Sequence, residues 1–524
     1  MRAFSMARFP SRVAQAKAVD WVESRATKPN ASRTEPARRC DLLRRVDAAQ
    51  RDVTPVQIAA TPLKNNNYLW NHRMYVLMAV IFVLGYLCIA LEHPLKIDKA
   101  ASAILTAVLC WTVLALGAET ILPTLAQSAH GPAGELRHHL GEISEILFFL
   151  LGAMTIVELV DAHEGFKVIT DRIRTHKRVT LLWLIGFITF FLSAVLDNLT
   201  TTIVMVSLLR KLIRNQHERW FYAGIVVIAA NAGGAWSPIG DVTTTMLWIG
   251  HQISATGIIG ALFVPSLVCL LVPLTALSLV MRGEFERPEE LLSEAERRDP
   301  TTPLERNLVF ALGLGALLFV PVFKGITHLP PYMGILFGLG VLWVVTEWLH
   351  RGKNDEDKHP LSVVGVLRKI DTTSVLFFLG ILLAVSSLAT AGHLTQVAAA
   401  LKDSLGNVYA INLAIGLLSS VVDNVPLVAG AMKMYPLVDA PILAAASSDS
   451  AWLSNFVADG TFWELLAYCA GTGGSCLIIG SAAGVAAMGM EKIDFIWYLK
   501  KISGLALLGY LAGAATYIGI ASLG

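Results

Sequence analysis

Apolar residues run along this chain in long blocks, and polar residues interrupt the blocks at a few recurring places. The apolar segments lie at about 74–91, 100–122, 143–162, 178–209, 220–250, 257–281, 304–323, 331–349, 372–390, 407–432, 462–490 and 497–522. About 20 consecutive apolar residues cross a bilayer as a helix. The stretches GIIGALFVPSLVCLLVPLTALSLVM (257–281) and ISGLALLGYLAGAATYIGIASLG (502–524) carry no charge, so they read as spans rather than as core helices of a soluble domain. Segments 178–209, 220–250 and 462–490 are too long for one straight crossing and hold polar residues midway. That combination predicts discontinuous or re-entrant elements. The expected fold class is an all-α polytopic membrane protein.

The pattern also repeats. EILFFLLGAMTIVE (145–158) resembles SVLFFLGILLAVSS (374–387), and FLSAVLDNLTT (191–201) resembles LLSSVVDNVPL (417–427). NAGGAWSPIGD (231–241) then resembles AGTGGSCLIIGS (470–481) across the Gly-Gly and the later Gly. Three matches in one order, each displaced by roughly 230 residues, predict two copies of one unit. The expected division is an extension at 1–70, a first membrane half at 71–303 with its repeat at about 143–281, and a second half at 304–524 with its repeat at about 372–522.

Charge placement orients the two copies. Lys167, Arg172, Arg174, Lys177 and Arg178 precede the first Asp-Asn segment, and Arg210, Lys211, Arg214 and Arg219 follow it. Lys and Arg mark cytoplasmic loops, so 178–212 reads as a hairpin entering from the cytoplasm with Asp197-Asn198 at its tip. The second Asp-Asn segment has only Lys402 before it and Lys433 after it, as a hairpin entering from outside would. An inverted repeat with two re-entrant hairpins is the expectation. The count conflicts at the front, where residues 1–73 should lie outside yet carry fourteen Lys and Arg. The first nineteen residues, with Arg, Ser and no acid, suit an organellar transit peptide; the acids from Asp20 onward do not. A misassigned upstream start is the other reading, with residues 1–65 disordered.

Composition narrows the function. The chain has 524 residues, 54% hydrophobic and 16% charged, with a mean hydropathy of +0.58. Soluble domains carry about a quarter charged residues, so this chain has too few to coat a water-facing surface. Its net charge of +2 says little, because the basic residues sit at segment ends; the expected partners are the lipid bilayer, monovalent cations and protons, with no nucleic acid. The six cysteines show no zinc or redox spacing. With no GxxxxGK[ST] loop to hold ATP, an ion gradient is the expected energy source. No enzyme activity and no cofactor are expected.

The candidate chemistry sits where polar residues break the blocks. A carboxylate near the bilayer midplane costs roughly 2.5–3.5 kcal/mol on insertion scales. Asp197 and Asp423 carry that cost at matching positions, beside Asn198 and Asn424, with Ser193 and Ser419 one helical turn earlier. Each Asp could simply cap a half-helix, which is compatible with binding an ion. Carboxylate, amide, hydroxyl and freed backbone carbonyls together make a hard oxygen site for a small alkali cation. A carboxyl held away from water gives up its proton less readily, so H⁺ and Na⁺ can compete for the same oxygens. In the next broken segment, Asn231, Ser237, Asp241, Thr243 and Thr244 supply polar groups around Gly233, Gly234, Pro238 and Gly240. Its partner keeps Gly473, Gly474, Ser475 and Gly480 but has Ser481 where the first half has Asp241. Glu145 and Glu158 stand where the second half has Ser374 and Ser387. They are candidates to join the site, or, for Glu158, to be solvated near the cytoplasmic end. His138 and His139 read as loop residues.

With the Asp-Asn pairs, NAGGAWSPIGDVTTT and the Gly-Gly segment at 473–481, the chain resembles the NhaD-type sodium/proton antiporters over about residues 74–522. These belong to a superfamily that also holds arsenite permeases and dicarboxylate carriers. The resemblance implies an inverted-repeat fold, often a homodimer, in the cell inner membrane, or an organellar inner membrane if the extension is a transit peptide. It implies exchange of cytoplasmic Na⁺ or Li⁺ for external H⁺, most active at alkaline pH. Carried over, the important polar positions would include Ser193, Asp197, Asn198, Asn231, Asp241, Thr243, Thr244, Ser419, Asp423 and Asn424. The alternative on the same fold is an anion carrier for dicarboxylate or arsenite, although an ionised Asp at both tips repels an anion. A membrane-embedded hydrolase would not explain two copies of Ser-x₃-Asp-Asn.

Overall fold

The computed structural model describes residues 67–121, 131–170, 173, 175–286, 301–439, 441, 443 and 450–523. The expectations for the extension at 1–65 and for its role as a transit peptide lie outside the described residues. Asn65–Gly524 forms one compact unit.

Counting helices of seven or more residues, α1 is Asn67–Ala90, α2 Lys99–Leu116, α3 Gly131–Ala162, α4 Arg178–Ser193, α5 Asn198–Leu212, α6 Gln216–Ala235, α7 Val242–Ile249, α8 Ala255–Val280 and α9 Pro303–Thr327. They continue with α10 Pro331–Leu349, α11 Thr372–Thr390, α12 His393–Leu405, α13 Val408–Leu418, α14 Asn424–Met434, α15 Thr461–Gly473, α16 Ala482–Glu491, α17 Phe495–Lys501 and α18 Ser503–Leu523. Among the described residues, seven of these (α2, α3, α8, α9, α10, α11 and α18) are long and apolar enough to cross a membrane. The polytopic all-α class expected from the blocks is what the chain adopts.

Burial is turned inside out relative to a soluble protein. Phe337, Val341, Val344 and Trp348 of α10 and Leu105, Val108 and Leu109 of α2 are exposed at helical spacing. Thr189, Ser193, Asn231, Thr243, Thr244 and Ser419 are fully buried. Lipid tails accept the outer apolar face, whereas buried polar groups in a bilayer must find partners inside the protein.

The blocks read as too long do break. α4 ends at Ser193 and α5 starts at Asn198, with Asp197 in extended conformation between them as the N-cap. α6 and α7 are separated at Trp236–Asp241, and α15 and α16 at Gly474–Ser481. The 407–432 block parts in the same way between α13 and α14. Two segments differ from expectation. Helix α3 begins at Gly131, so His138 and His139 are helical rather than loop residues. The reason is local: GPAGELRHHLGE has no proline after Pro132, its isolated Gly134 and Gly141 are tolerated within a helix, and proline is tolerated in a first turn. The last block is divided at Ile502 into α17 and α18.

The contacts that hold the breaks recur in both halves. Ser193 Oγ donates to Ala230 O at 2.7 Å, and Ser419 Oγ donates to Ala470 O at 2.8 Å. A Cβ on Gly233 would strike Phe190 O, and one on Gly473 would strike Gly416 O. Helix α4 packs on α6, and α13 on α15. The second arms then cross over: α5 packs on α16 of the second half, and α14 on α7 of the first. Each half thus completes the other, and four short helices start in the shared interior.

Candidate cation site

Four helix N-termini meet there, and their caps are the polar residues of the motifs. Asp197 caps α5, Asp241 caps α7, Asp423 caps α14 and Ser481 caps α16. Ser, Asp and Asn are favoured as N-caps because a side-chain oxygen accepts an otherwise unpaired backbone N–H. Asp197 accepts from Thr200 N at 2.7 Å and from the Thr200 hydroxyl at 2.6 Å. Asp241 accepts from Thr243 N at 3.1 Å, and Asp423 from Val425 N at 3.1 Å. The capping alternative raised from the sequence is therefore true of all three carboxylates. It leaves further oxygen lone pairs on each.

The caps are joined through asparagines. Asn198 donates one amide proton to Asn231 Oδ1 at 3.2 Å and another to Asp241 Oδ2 at 2.9 Å. Asn424 donates to the same Asp241 oxygen at 3.3 Å. Asn231 in turn donates to Ser481 Oγ at 3.0 Å. An ionised carboxylate can only accept, which fixes the way both tip amides face. Asp241 Oδ2 is the atom at which the Asp-Asn tips of the two halves meet. Asp241, Asn198, Asn231 and Asn424 are all buried.

A cavity of about 60 Å³ adjoins this network, lined by Asp197, Asp241, Asp423, Asn198 and Asn424 together with Lys99. That volume admits a few waters or a partly hydrated alkali ion. Asp423 Oδ2 lies 3.9 Å from Lys99 Nζ. Among the described residues neither Asp197 nor Asp241 has an ion-pair partner. Three carboxylates, two amides and one ammonium around so small a space can hold a small cation or a proton.

The other expected site residues divide. Thr244 Oγ1 donates to Asp241 O at 2.9 Å, and Thr243 is buried next to its carboxylate. Ser193 and Ser419 serve the backbone of α6 and α15, and Ser475 donates to Thr472 O within its own turn. Glu145 lines a separate cavity of about 480 Å³ with His138, His139, Glu142 and Lys433. Glu158 pairs with Lys369 at 4.0 Å. The structure thus does not bring Glu145 or Glu158 to the carboxylate cluster. Sequence reasoning missed Thr200, which supplies both donors to Asp197, and Lys99. Thr200 was findable from its place three residues after an Asp cap; Lys99 looked like any basic residue at a segment end.

This is the anatomy of a secondary transporter: broken helices whose ends surround a small polar cavity inside a bundle of membrane spans. The citrate transporter family, CitMHS, matches residues 76–457. Sodium/proton antiporter 1 of Arabidopsis thaliana is 52% identical over 450 residues, covering 86% of this chain and 73% of that protein. Sodium/proton antiporter 2 of the same plant is 49% identical over 447 residues, covering 84% and 99%. The Na(+)/H(+) antiporter NhaD of Vibrio cholerae is 30% identical over 492 residues, covering 89% and 96%. The chain belongs to the CitMHS transporter family and to the NhaD-type antiporters, and is a multi-pass membrane transporter rather than an enzyme.

Proposed function

We propose that this chain exchanges cytoplasmic Na⁺ or Li⁺ for external H⁺, with Asp197, Asp241 and Asp423 alternately holding cation and proton. The observation that carries this reading is the single Asp241 oxygen bound by the tip asparagines of both halves, beside a cavity lined by all three carboxylates. A proton on a carboxyl oxygen and an alkali ion on the same oxygen exclude one another, and one site with two exclusive occupants is sufficient for exchange. The two hairpins enter the membrane from opposite sides as inverted copies, so a small rocking of one half against the other exposes the site alternately. The protein works as a homodimer in a cell or organellar inner membrane. Its similarity to proteins named sodium/proton antiporters supports the choice of ions.

An anion carrier on the same framework is disfavoured by the caps. Helix N-termini attract anions, but three of the four here already face a carboxylate of the protein. The test is a pH-dye assay in everted vesicles from an antiporter-deficient strain, adding NaCl, LiCl, KCl and then succinate. Dequenching by Na⁺ and Li⁺ is expected. Silence towards every cation, with uptake of labelled succinate, would reject cation exchange and retain the fold.

A further inference from the structure

The second tip has a charge that the first lacks. Asp197 is satisfied inside its own helix by both donors of Thr200. The matching residue after Asp423 is Pro426, which has neither an N–H nor a hydroxyl to offer. Asp423 keeps one short-range partner, Val425 N, and faces the ammonium of Lys99. Lys99 comes from the start of α2, outside both Asp-Asn tips.

The Lys99–Asp423 contact is loose. At 3.9 Å it exceeds hydrogen-bonding distance. The Lys99 and Asp423 side chains are 26% and 21% exposed. From the same position the ammonium lies 4.7 Å from the centre of the Phe377 ring, a contact that does not depend on the carboxylate. A flexible four-carbon stem lets the charged head move away from Asp423 while staying near that ring and solvent. Because Lys99 lines the same small cavity as the three carboxylates, a cation entering there meets a like charge already in place.

We propose that Lys99 is a tethered counter-cation of Asp423, which an incoming Na⁺ or Li⁺ must displace, and that it thereby sets the cation affinity of the carrier. The inference rests on the cation-exchange reading above. When the site lacks Na⁺, the ammonium balances Asp423; when Na⁺ arrives, the ammonium withdraws towards Phe377 and solvent. Lys99 is thus a positioning and affinity-setting residue, not a ligand of the transported ion.

The experiment uses the full chain, wild type, Lys99→Gln and Lys99→Arg, purified and reconstituted in proteoliposomes. The apparent KM for Na⁺ and Li⁺ is measured at one pH, together with the Na⁺-induced rise in Tm in detergent. Lys99→Gln is expected to lower both KM values by roughly tenfold and to enlarge the Na⁺-induced Tm rise, because one competing charge has gone. Lys99→Arg, which keeps the charge, should stay near wild type. An unchanged KM in Lys99→Gln, or the same change in both variants, overturns the proposal. If Lys99→Gln does not insert, Lys99→Met carries the same test. If neither neutral variant folds, Lys99 is structural and the proposal fails. A wild-type chain that moves neither Na⁺ nor Li⁺ removes the functional reading itself, a result distinct from an active carrier indifferent to Lys99.

Discussion

The two broken tips share a scaffold and differ in chemistry. In both, a serine hydroxyl ties the end of the first arm to a backbone carbonyl of a broken helix, and a glycine lets the backbones touch. Around that common frame, Asp197 has Thr200 and Asp423 has Pro426 and Lys99; the first half caps its broken helix with Asp241, the second with Ser481. Backbone contacts cannot vary without losing the break, so they recur. Side chains facing the cavity are free to differ, and they leave the negative charge heavier on the first half.

That contrast can be broken most severely at the carboxylates. Asp241→Asn, Asp197→Asn and Asp423→Asn should each reduce Na⁺-driven dequenching in everted vesicles by roughly a hundredfold or more, because each removes an oxygen the site needs charged. Asp241→Ser, which copies the second half, should do the same while the protein still inserts. Near-normal exchange in all of these would dismiss the site.

Stability separates the halves elsewhere. Glu491, with its side chain fully buried at the end of α16, accepts from Arg210 at 2.7 Å and Arg219 at 2.9 Å and so clamps the first half to the second. Leaving two arginines facing a neutral amide should cost about 3 kcal/mol or more in Glu491→Gln, seen as a large fall in Tm in detergent. A Tm equal to wild type would show that the clamp contributes nothing.

The scaffold itself should respond equally on both sides. Gly233→Ala and Gly473→Ala each push a Cβ into a backbone carbonyl, and each should cost about 1–3 kcal/mol. A marked inequality between the two would mean that the recurrence is only superficial. The smallest effect is expected at Thr200→Val, which removes one hydroxyl donor from Asp197 and leaves its backbone donor in place. A loss of about 1 kcal/mol should appear as a several-fold change in apparent Na⁺ KM, with little change in maximal rate. A Vmax effect alone would place Thr200 in the scaffold rather than at the site.

The sequence by itself determined that the chain lies in a membrane, that its apolar blocks break at mid-block polar clusters, and that Asp197, Asp241 and Asp423 belong to the broken places. Those conclusions follow from local rules: apolar length, helix-breaking glycine and proline, and the expense of a carboxylate among apolar neighbours. Only the tertiary structure decided which polar groups meet. Asn424 reaches the Asp241 oxygen that Asn198 also holds because α14 packs on α7 of the opposite half, and no spacing along the chain records that crossing. The same packing left Glu145 and Glu158 outside the carboxylate cluster and brought Lys99 to its edge. A charge near a segment end reads alike whether it faces lipid headgroups, water or a buried carboxylate; only the neighbours supplied by folding tell these apart.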